Sequence, residues 1–296
     1  MTENRFNVVT LCGLPAVLQC FEKRPLAIKR LWLAPEMERP LLGVCRWLAQ
    51  EKRPYIARAS LHELDRAAGH SAHRGVVALT ERPPPGTLGA SDYEKWRKEG
   101  KALLFLEDIA DPLQIGTIAR VAAAMGVSSL LLNGASLTAA YCERAWSTAA
   151  GALDLLTLHD AGSPVGALRL LRGRFCIIGF TRPGGRRVNE LKPIRVPGRP
   201  PVIMIGDAQT GISADVAGKC DHLLHIPGAG GSTLLNAADT AAFGLPWLLQ
   251  RERLPDTGFL RKKRERQTAT KTAAVPAVVD DSNAVSSAAP PNTDQN

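Results

Sequence analysis

Residues 107–126 read EDIADPLQIGTIARVAAAMG and combine polar side chains with a small, apolar helical pattern. Asp111 and Pro112 are typical of a turn between a strand and a helix, and Gly116 allows another backbone to approach closely. Arg120 is the one charged residue in the apolar run that follows. Such an arginine either reaches a helix edge or pairs with an acid, or it clamps an anion at the carboxyl edge of a parallel sheet. The segment alone leaves these interpretations open.

Two later segments have the same strand–turn–helix character. PVIMIGDAQTGIS (201–213) predicts a strand, a glycine-flanked turn and the start of a helix. CDHLLHIPGAGGSTLLNAADTAA (220–242) predicts a strand, a Pro-Gly loop and a helix that carries Asn236. GAGGST contains neither GK[ST] nor GxGxxG, which disfavours a nucleotide-binding enzyme of the Rossmann type.

The elements around these segments predict an α/β protein. Within 1–82 the predicted helices are LPAVLQCFEKR, RPLLGVCRWLAQEKR and LHELDRAAG, and the predicted strands are IKRLWLA, YIARAS and RGVVAL. From about residue 92 to 255 the apolar runs of strand length are ALLFLE, SSLLLN, LDLLTLH, FCIIGF, PVIMIG and HLLHIP. Helical stretches separate most of these runs, which indicates a parallel sheet covered on both faces. We expect a small α/β domain at 1–82, a Pro/Gly-rich, solvated linker at 83–93, the parallel-sheet domain at 94–255, and a basic, disordered tail at 256–296. The tail includes RKKRER (261–266), a solvated face or a phosphate-grasping arm.

Composition and charge indicate which binding partners and which cellular location to expect. The net charge of +9 favours a polyanionic partner, of which nucleic acid is the commonest. Apolar runs fall short of the roughly 20 residues of a membrane helix, and the N-terminus lacks a secretory pattern, so we expect a cytoplasmic protein. The six cysteines are scattered without a CxxC pair, which argues against a disulfide framework and against a zinc or other metal site.

The three segments, in this order and spacing, resemble the SpoU/TrmH branch of the SPOUT RNA methyltransferases. The first family motif is roughly D-P-x-N-x-G-x-x-x-R, and here it reads DPLQIGTIAR. The second is roughly G-N-E-x-x-G-L-S and reads GDAQTGIS. The third is roughly I-P-M-x-G-x-x-x-S-L-N and reads IPGAGGSTLLN. RAWSTAAGAL (144–153) is similar to the R-A-S-x-G-A helix of the family. Within 1–82, LCGLPAVLQCF, IKRLWLA and HRGVVAL resemble the ribosomal-protein-like, RNA-binding domain that precedes many members.

The resemblance implies a deep trefoil knot that holds S-adenosylmethionine, largely through backbone groups at Gly206, Ile226 and Leu235. It implies methyl transfer to a ribose 2′-hydroxyl of tRNA or rRNA, in a homodimer with the site at the subunit interface. Arg120 matches the arginine beside the target hydroxyl. A guanidinium is a poor base, so we prefer a phosphate clamp that orients the hydroxyl.

Several motif positions depart from the family pattern. Gln114 replaces the first-motif asparagine, and Asp207-Ala208 replaces the second-motif Asn-Glu pair, where Asp207 is a candidate substitute for the lost carboxylate. Gly228 replaces the third-motif methionine and Leu234 the serine, whereas Asn236 is kept.

The expected catalytic residues are therefore Arg120, Asn236 and Gln114. The departures leave two hypotheses, an active 2′-O-methyltransferase or an RNA-binding relative with little or no catalysis. Three further polar residues, His70, His73 and Arg74, lie in a predicted loop of the small domain. We expect them to be exposed, with RNA contact as the alternative.

Overall fold

The computed structural model describes residues 7–181, 185–188, 196, 198–227 and 235–249. Gly228, Leu234 and the predicted tail at 256–296 lie outside the described residues. Residues Met1–Arg253 form one compact unit, and a second unit, Leu254–Asn296, is also outside the described part. No helix in the described ranges is long and apolar enough to cross a membrane.

The N-terminal sheet, described within residues 7–82, has the strand order β1-β4-β2-β3. Its strands are β1 (Val8–Cys12), β2 (Ile28–Leu33), β3 (Tyr55–Ile56) and β4 (Val76–Glu81). Its helices are α1 (Leu14–Lys23), α2 (Leu42–Gln50) and α3 (Leu61–Ala68). β4 runs antiparallel to both β1 and β2, and β2 runs parallel to β3. The predicted helices and three of these strands are confirmed; β1 was not predicted.

The C-terminal sheet is parallel throughout its described strands, as predicted, with the order β10-β12-β9-β11-β6-β7-β8-β5. The strands are β5 (Gly86–Thr87), β6 (Leu103–Glu107), β7 (Ser129–Leu132), β8 (Thr157–Asp160), β9 (Cys176–Phe180), β10 (Arg186–Arg187), β11 (Pro201–Gly206) and β12 (His222–His225). Every residue of β6, β7 and β9 is buried, as expected for a sheet covered on both faces.

Helices pack on both faces of this sheet. They are α4 (Ala90–Glu99), α5 (Pro112–Ala124), α6 (Gly134–Ala140), α7 (Glu143–Ala149), α8 (Pro164–Leu171), α9 (Ala214–Ala217) and α10 (Ala237–Leu249). On one face α5 lies against both α7 and α10. That face shares one apolar core with the N-terminal sheet, while α4, α8 and α9 cover the other face.

Two segments differ from the sequence prediction. Gly86–Thr87, within the predicted solvated linker, pairs with β8 as the edge strand of the sheet, and α4 begins at Ala90. The backbone of an open sheet edge accepts any extended segment, which explains this pairing without an apolar pattern. The predicted strand LDLLTLH divides into a 3-10 turn, Ala152–Leu155, and β8.

Candidate active site

Helix α5 carries the first motif. It begins at Asp111, whose Oδ1 accepts a hydrogen bond from the Leu113 N–H at 2.9 Å, and Pro112 occupies the first helical turn, where no N–H is needed. It ends before Gly126, whose φ of 77° suits glycine.

Arg120 lies on the outer face of α5. Leu113, Arg120 and Ala124 are exposed, seven and four residues apart, and so form one stripe along the helix. Within the described ranges Arg120 has no ion pair or hydrogen-bond partner, so the pairing interpretation finds no support there. An exposed guanidinium on this stripe is free to bind an anion.

Gln114 and Asn236 come together at the start of α10. The Ala237 N–H donates to Gln114 Oε1 at 3.0 Å, and Gln114 Nε2 donates to Asp111 Oδ2 at 3.3 Å. The side chain of Gln114 therefore bonds the beginning of α5 to the beginning of α10, which leaves both its polar ends occupied.

Asn236 caps α10. Its Oδ1 accepts the Asp239 N–H at 2.9 Å, and its own N–H donates to Asp239 Oδ2 at 3.2 Å. This reciprocal pair fixes the helix start. The amide nitrogen Nδ2 of Asn236 has no partner among the described residues and remains available as a donor.

The second motif forms a turn that folds back tightly on β11. A Cβ on Gly206 would lie 2.2 Å from the Gly211 carbonyl oxygen, so the turn requires glycine there. Asp207 Oδ1 accepts the Gln209 N–H at 2.7 Å. The carboxylate of Asp207 thus stabilises its own turn, which does not favour it as a substitute for the glutamate lost at Ala208.

Glu107, which the sequence analysis did not single out, holds the next residues in place. It is buried at the carboxyl end of β6, and its two oxygens accept the Ser213 N–H at 3.0 Å and the Ser213 hydroxyl at 2.7 Å. Ser213 also caps α9. The sequence signal was an acid at the end of a wholly apolar strand.

The three expected donor positions lie at strand or helix ends. Gly206 ends β11, Ile226 follows β12, and Leu235 precedes α10. β11 and β12 run parallel on either side of β9, so Gly206 and Ile226 both lie at the carboxyl ends of the strands. The spacing of neighbouring strands puts these two residues about 10 Å apart. Ile226 and Leu235 are partly buried. Apolar side chains and a backbone that approaches closely fit an adenine ring.

The described residues contain no group of three His, Cys, Asp or Glu side chains arranged for a metal ion, and the expectation of no metal stays a prediction.

The loop before β4 is partly buried. His70 is exposed, as expected, but that expectation is wrong for His73, which is 4% exposed. His73 Nδ1 accepts the Gly75 N–H at 3.0 Å, and its Nε2 lies 3.2 Å from Asp65 Oδ1. Arg74 and Gly75, which follow His73, both have positive φ angles, of 52° and 80°. RNA contact by His70 or Arg74 stays a prediction.

Comparison with known proteins assigns part of the chain to a family. Residues 101–245 match the family model described as the SpoU rRNA Methylase family. Residues 101–245 therefore form a domain of the SpoU methylase family. All three motifs fall within the match or at its edge.

Curated relatives extend beyond that domain. The chain is 28% identical over 214 residues to an uncharacterized tRNA/rRNA methyltransferase of Mycolicibacterium gilvum, covering 70% of this chain and 65% of the relative. It is 29% identical over 233 residues to the 23S rRNA (guanosine-2′-O-)-methyltransferase RlmB of Pseudomonas aeruginosa, covering 76% and 90%. The chain thus spans 65% of the length of the M. gilvum protein.

Solved structures share the fold. The SpoU methyltransferase AviRb of Streptomyces viridochromogenes, in complex with AdoMet, superimposes with a TM-score of 0.63 at 24% identity over 84% of this chain and 92% of that one. An rRNA methyltransferase of Sinorhizobium meliloti gives a TM-score of 0.66 at 20% identity, with coverages of 86% and 90%. Both coverages exceed the share of this chain that the matched residues 101–245 occupy.

Proposed function

We propose that this protein transfers a methyl group from S-adenosylmethionine to a ribose 2′-hydroxyl of rRNA or tRNA. The observation that carries the proposal is the bond between Gln114 and Ala237, which joins the helix bearing Arg120 to the helix that follows the expected donor loop. The names of the relatives, which describe rRNA and tRNA methyltransferases, support the same reaction.

The chemistry assigned to this chain is mainly positioning. When bound, the donor supplies a methyl group on a positively charged sulfur. Arg120 binds a phosphate next to the target ribose and so orients the 2′-hydroxyl, while Asn236 Nδ2 is available to donate a hydrogen bond nearby. Gln114 sets the spacing of the two helices.

The same proposal includes a homodimer. Arg120 shares its exposed stripe with Leu113, which is 42% exposed, and the neighbouring helix α10 exposes 61% of Phe243. A second copy of the chain packs against this surface and buries the two apolar side chains. Arg120 then lies in the dimer interface, where it serves the donor site of the partner subunit. The trefoil knot belongs to this proposal as well, because residues 228–234 lie outside the described residues.

We assign residues 1–82 to RNA binding and residues 94–255 to catalysis, which the net charge of +9 and the length of the match to RlmB support. The cytoplasmic location stays a prediction.

Activity is tested by transfer of tritiated methyl groups to unmodified 23S rRNA and to total tRNA. We expect Arg120→Ala to abolish transfer, because the phosphate clamp is lost, while calorimetric titration gives an unchanged donor affinity. Arg169→Ala is the matched control, since Arg169 is also an exposed helix arginine, on α8. Equal transfer by parent and Arg120→Ala contradicts the assigned role.

A second candidate function, an RNA-binding relative with weak or no catalysis, is favoured by one observation. Ala208 supplies no carboxylate, and that of Asp207 is engaged by Gln209. Each unsatisfied partner costs roughly 1–3 kcal/mol in such a site. A parent that binds the donor and RNA without transferring methyl, and gains transfer in Ala208→Glu, supports this second function.

A further inference from the structure

We propose that Arg24 and Asp154 are positioning residues that hold the N-terminal sheet at a fixed offset from the α5 helix. RNA bound by the N-terminal part is then presented to Arg120 at a set distance. The inference rests on the proposed function for its RNA substrate, but the docking itself is a property of the described chain.

The ion pair joins the end of α1 to the turn Ala152–Leu155 and is largely buried. Arg24, which follows α1, donates from Nε to Asp154 Oδ1 at 2.6 Å, and its Nη1 donates to the Glu81 carbonyl at the end of β4. The Arg24 guanidinium carbon also lies 5.4 Å from the ring centre of Trp146 in α7. The Asp154 side chain is fully buried and that of Arg24 is 18% exposed.

A glycine next to this pair brings the two parts into close contact. Gly151 has a φ of 93°, and a Cβ there would lie 2.9 Å from the Ala16 Cα in α1. On the same side, the Tyr141 hydroxyl donates to the Pro83 carbonyl at 2.9 Å. The interface therefore contains one close backbone approach and two side-chain hydrogen bonds, from Arg24 to Asp154 and from Tyr141 to Pro83.

The interface connects directly to the candidate site. The turn Ala152–Leu155, which contains Asp154, packs against both α1 and α5, and α7 packs against both β1 and α5. A shift of the N-terminal sheet is therefore transmitted to the helix that carries Gln114 and Arg120.

Stability alone does not account for this ion pair. Removing two charges from water is costly, and well-packed apolar side chains often stabilise an interface as well as a buried pair does. Burial raises the pKa of Asp154, and the neighbouring Arg24 only partly opposes that effect. The pair instead fixes the relative orientation of the N-terminal sheet and α5. A planar guanidinium that is bonded to both a carboxylate and a carbonyl allows only one such orientation.

The experiment compares the parent with Arg24→Ala, Asp154→Asn and the double variant. We measure transfer at saturating RNA and donor, the affinity for each, and hydrogen exchange in α1 and in Ala152–Leu155. The matched control is Arg174→Ala, which removes an arginine bonded to Glu94 at 3.2 Å on an exposed surface.

We expect Arg24→Ala to lower the transfer rate by about 10-fold or more, because a misplacement near 1 Å has such effects on reacting groups. Both affinities should stay within about twofold, since neither binding surface is changed. Exchange should rise on both sides of the interface, and the double variant should be no slower than Arg24→Ala, because the two residues act as a unit. Asp154→Asn, which keeps an acceptor for Arg24, should show a smaller loss.

Full transfer by a folded Arg24→Ala protein overturns the proposal. If Arg24→Ala does not fold, the variants Asp154→Asn and Tyr141→Phe test the proposal instead. Normal methyl transfer and unchanged hydrogen exchange in both of these variants overturn the proposal. A parent that methylates no RNA contradicts the proposed function instead. The docking is then judged by hydrogen exchange alone, which does not depend on activity.

Discussion

Gln114 shows how one methylene changes the role of a residue. The family pattern has asparagine at this position, whereas the longer side chain here reaches the first N–H of α10 while keeping its bond to Asp111. The first few N–H groups of a helix have no partner within the helix, so a side chain that supplies one stabilises the helix start.

We therefore predict that Gln114→Met, of similar length but without the amide, lowers the free energy of unfolding by about 1–3 kcal/mol, because the Ala237 N–H loses its acceptor. Gln114→Asn should also lose the bond across to α10. Urea unfolding followed by circular dichroism measures both. A Gln114→Met protein as stable as the parent would show that the bond contributes nothing to the junction of α5 and α10.

The sequence indicated which residues belong to the candidate site more reliably than it indicated the contacts of these residues. Arg120 stood out by its charge, and its exposure follows from the helical period that buries its neighbours. The bond from Gln114 to Ala237 spans 123 residues of chain, so no local pattern indicates it. His73 was expected in solvent, since a histidine in a Gly-rich loop usually lies there, and only the fold reveals its partners Asp65 and Gly75.

At the scale of elements, α5 owes its position to one glycine. A Cβ on Gly116 would lie 2.6 Å from both the Ala145 carbonyl oxygen and the Thr148 Cβ of α7. A helix interior normally gains stability when glycine becomes alanine, by roughly 0.5–1 kcal/mol. Here the close approach of α7 opposes that gain.

We predict that Gly116→Ala lowers the free energy of unfolding by about 1–3 kcal/mol, the usual cost of overpacking. Gly43→Ala in α2 is the control, because its Cβ would meet nothing within 4 Å. It should leave stability equal or slightly raised. Thermal unfolding of the two variants side by side gives the comparison, and a destabilised Gly43→Ala with a normal Gly116→Ala would contradict the packing argument.

His159 is a buried histidine on β8, the strand next to the edge of the C-terminal sheet. It is 6% exposed on β8, stands edge-on to Trp96 at 5.0 Å between ring centres, and has no hydrogen-bond partner for either nitrogen among the described residues. Burial lowers the pKa of His159, and the nearby Asp92 only partly opposes this. Folding therefore favours the neutral form of the ring.

We predict that stability falls as the pH drops below about 6.5, the pKa of histidine in an unfolded chain. Below that pH the unfolded chain binds a proton that the folded chain does not, and the loss continues down to the lowered pKa. His159→Gln should be less sensitive between pH 7.5 and 5.5 when the midpoints of thermal unfolding are compared. The same pH dependence in parent and variant would assign the acid sensitivity to other groups.

Secondary-structure elements with a strong apolar pattern were predicted from the sequence. Elements whose conformation depends on contacts with other elements were not. β6, β9 and β11 are continuous apolar runs and lie where expected. β5 has only Gly86 and Thr87, and its pairing depends on the open edge of β8. The turn Ala152–Leu155 replaced part of a predicted strand because Gly151 meets α1 there, a contact that the sequence does not indicate.

At the scale of the whole molecule, the proposed homodimer places a second copy against α5 and α10. Leu113 and Phe243 are exposed on these two packed helices, and Arg120 lies on the same outer stripe as Leu113. Isolated exposed apolar side chains are common, but two on the helices that carry the first and third motifs favour a self-complementary contact.

We predict that the parent is a dimer of roughly 64 kDa by light scattering, twice the chain mass of 31.8 kDa. Phe243→Asp should shift it to the monomer at micromolar concentration, because a buried, unpaired carboxylate opposes association. Methyl transfer should fall in parallel, since Arg120 then has no partner site to serve. Leu61→Asp is the control, because Leu61 is 72% exposed on α3 in the N-terminal part; it should remain dimeric and active. A monomeric parent with full transfer would show instead that Arg120 acts within its own chain.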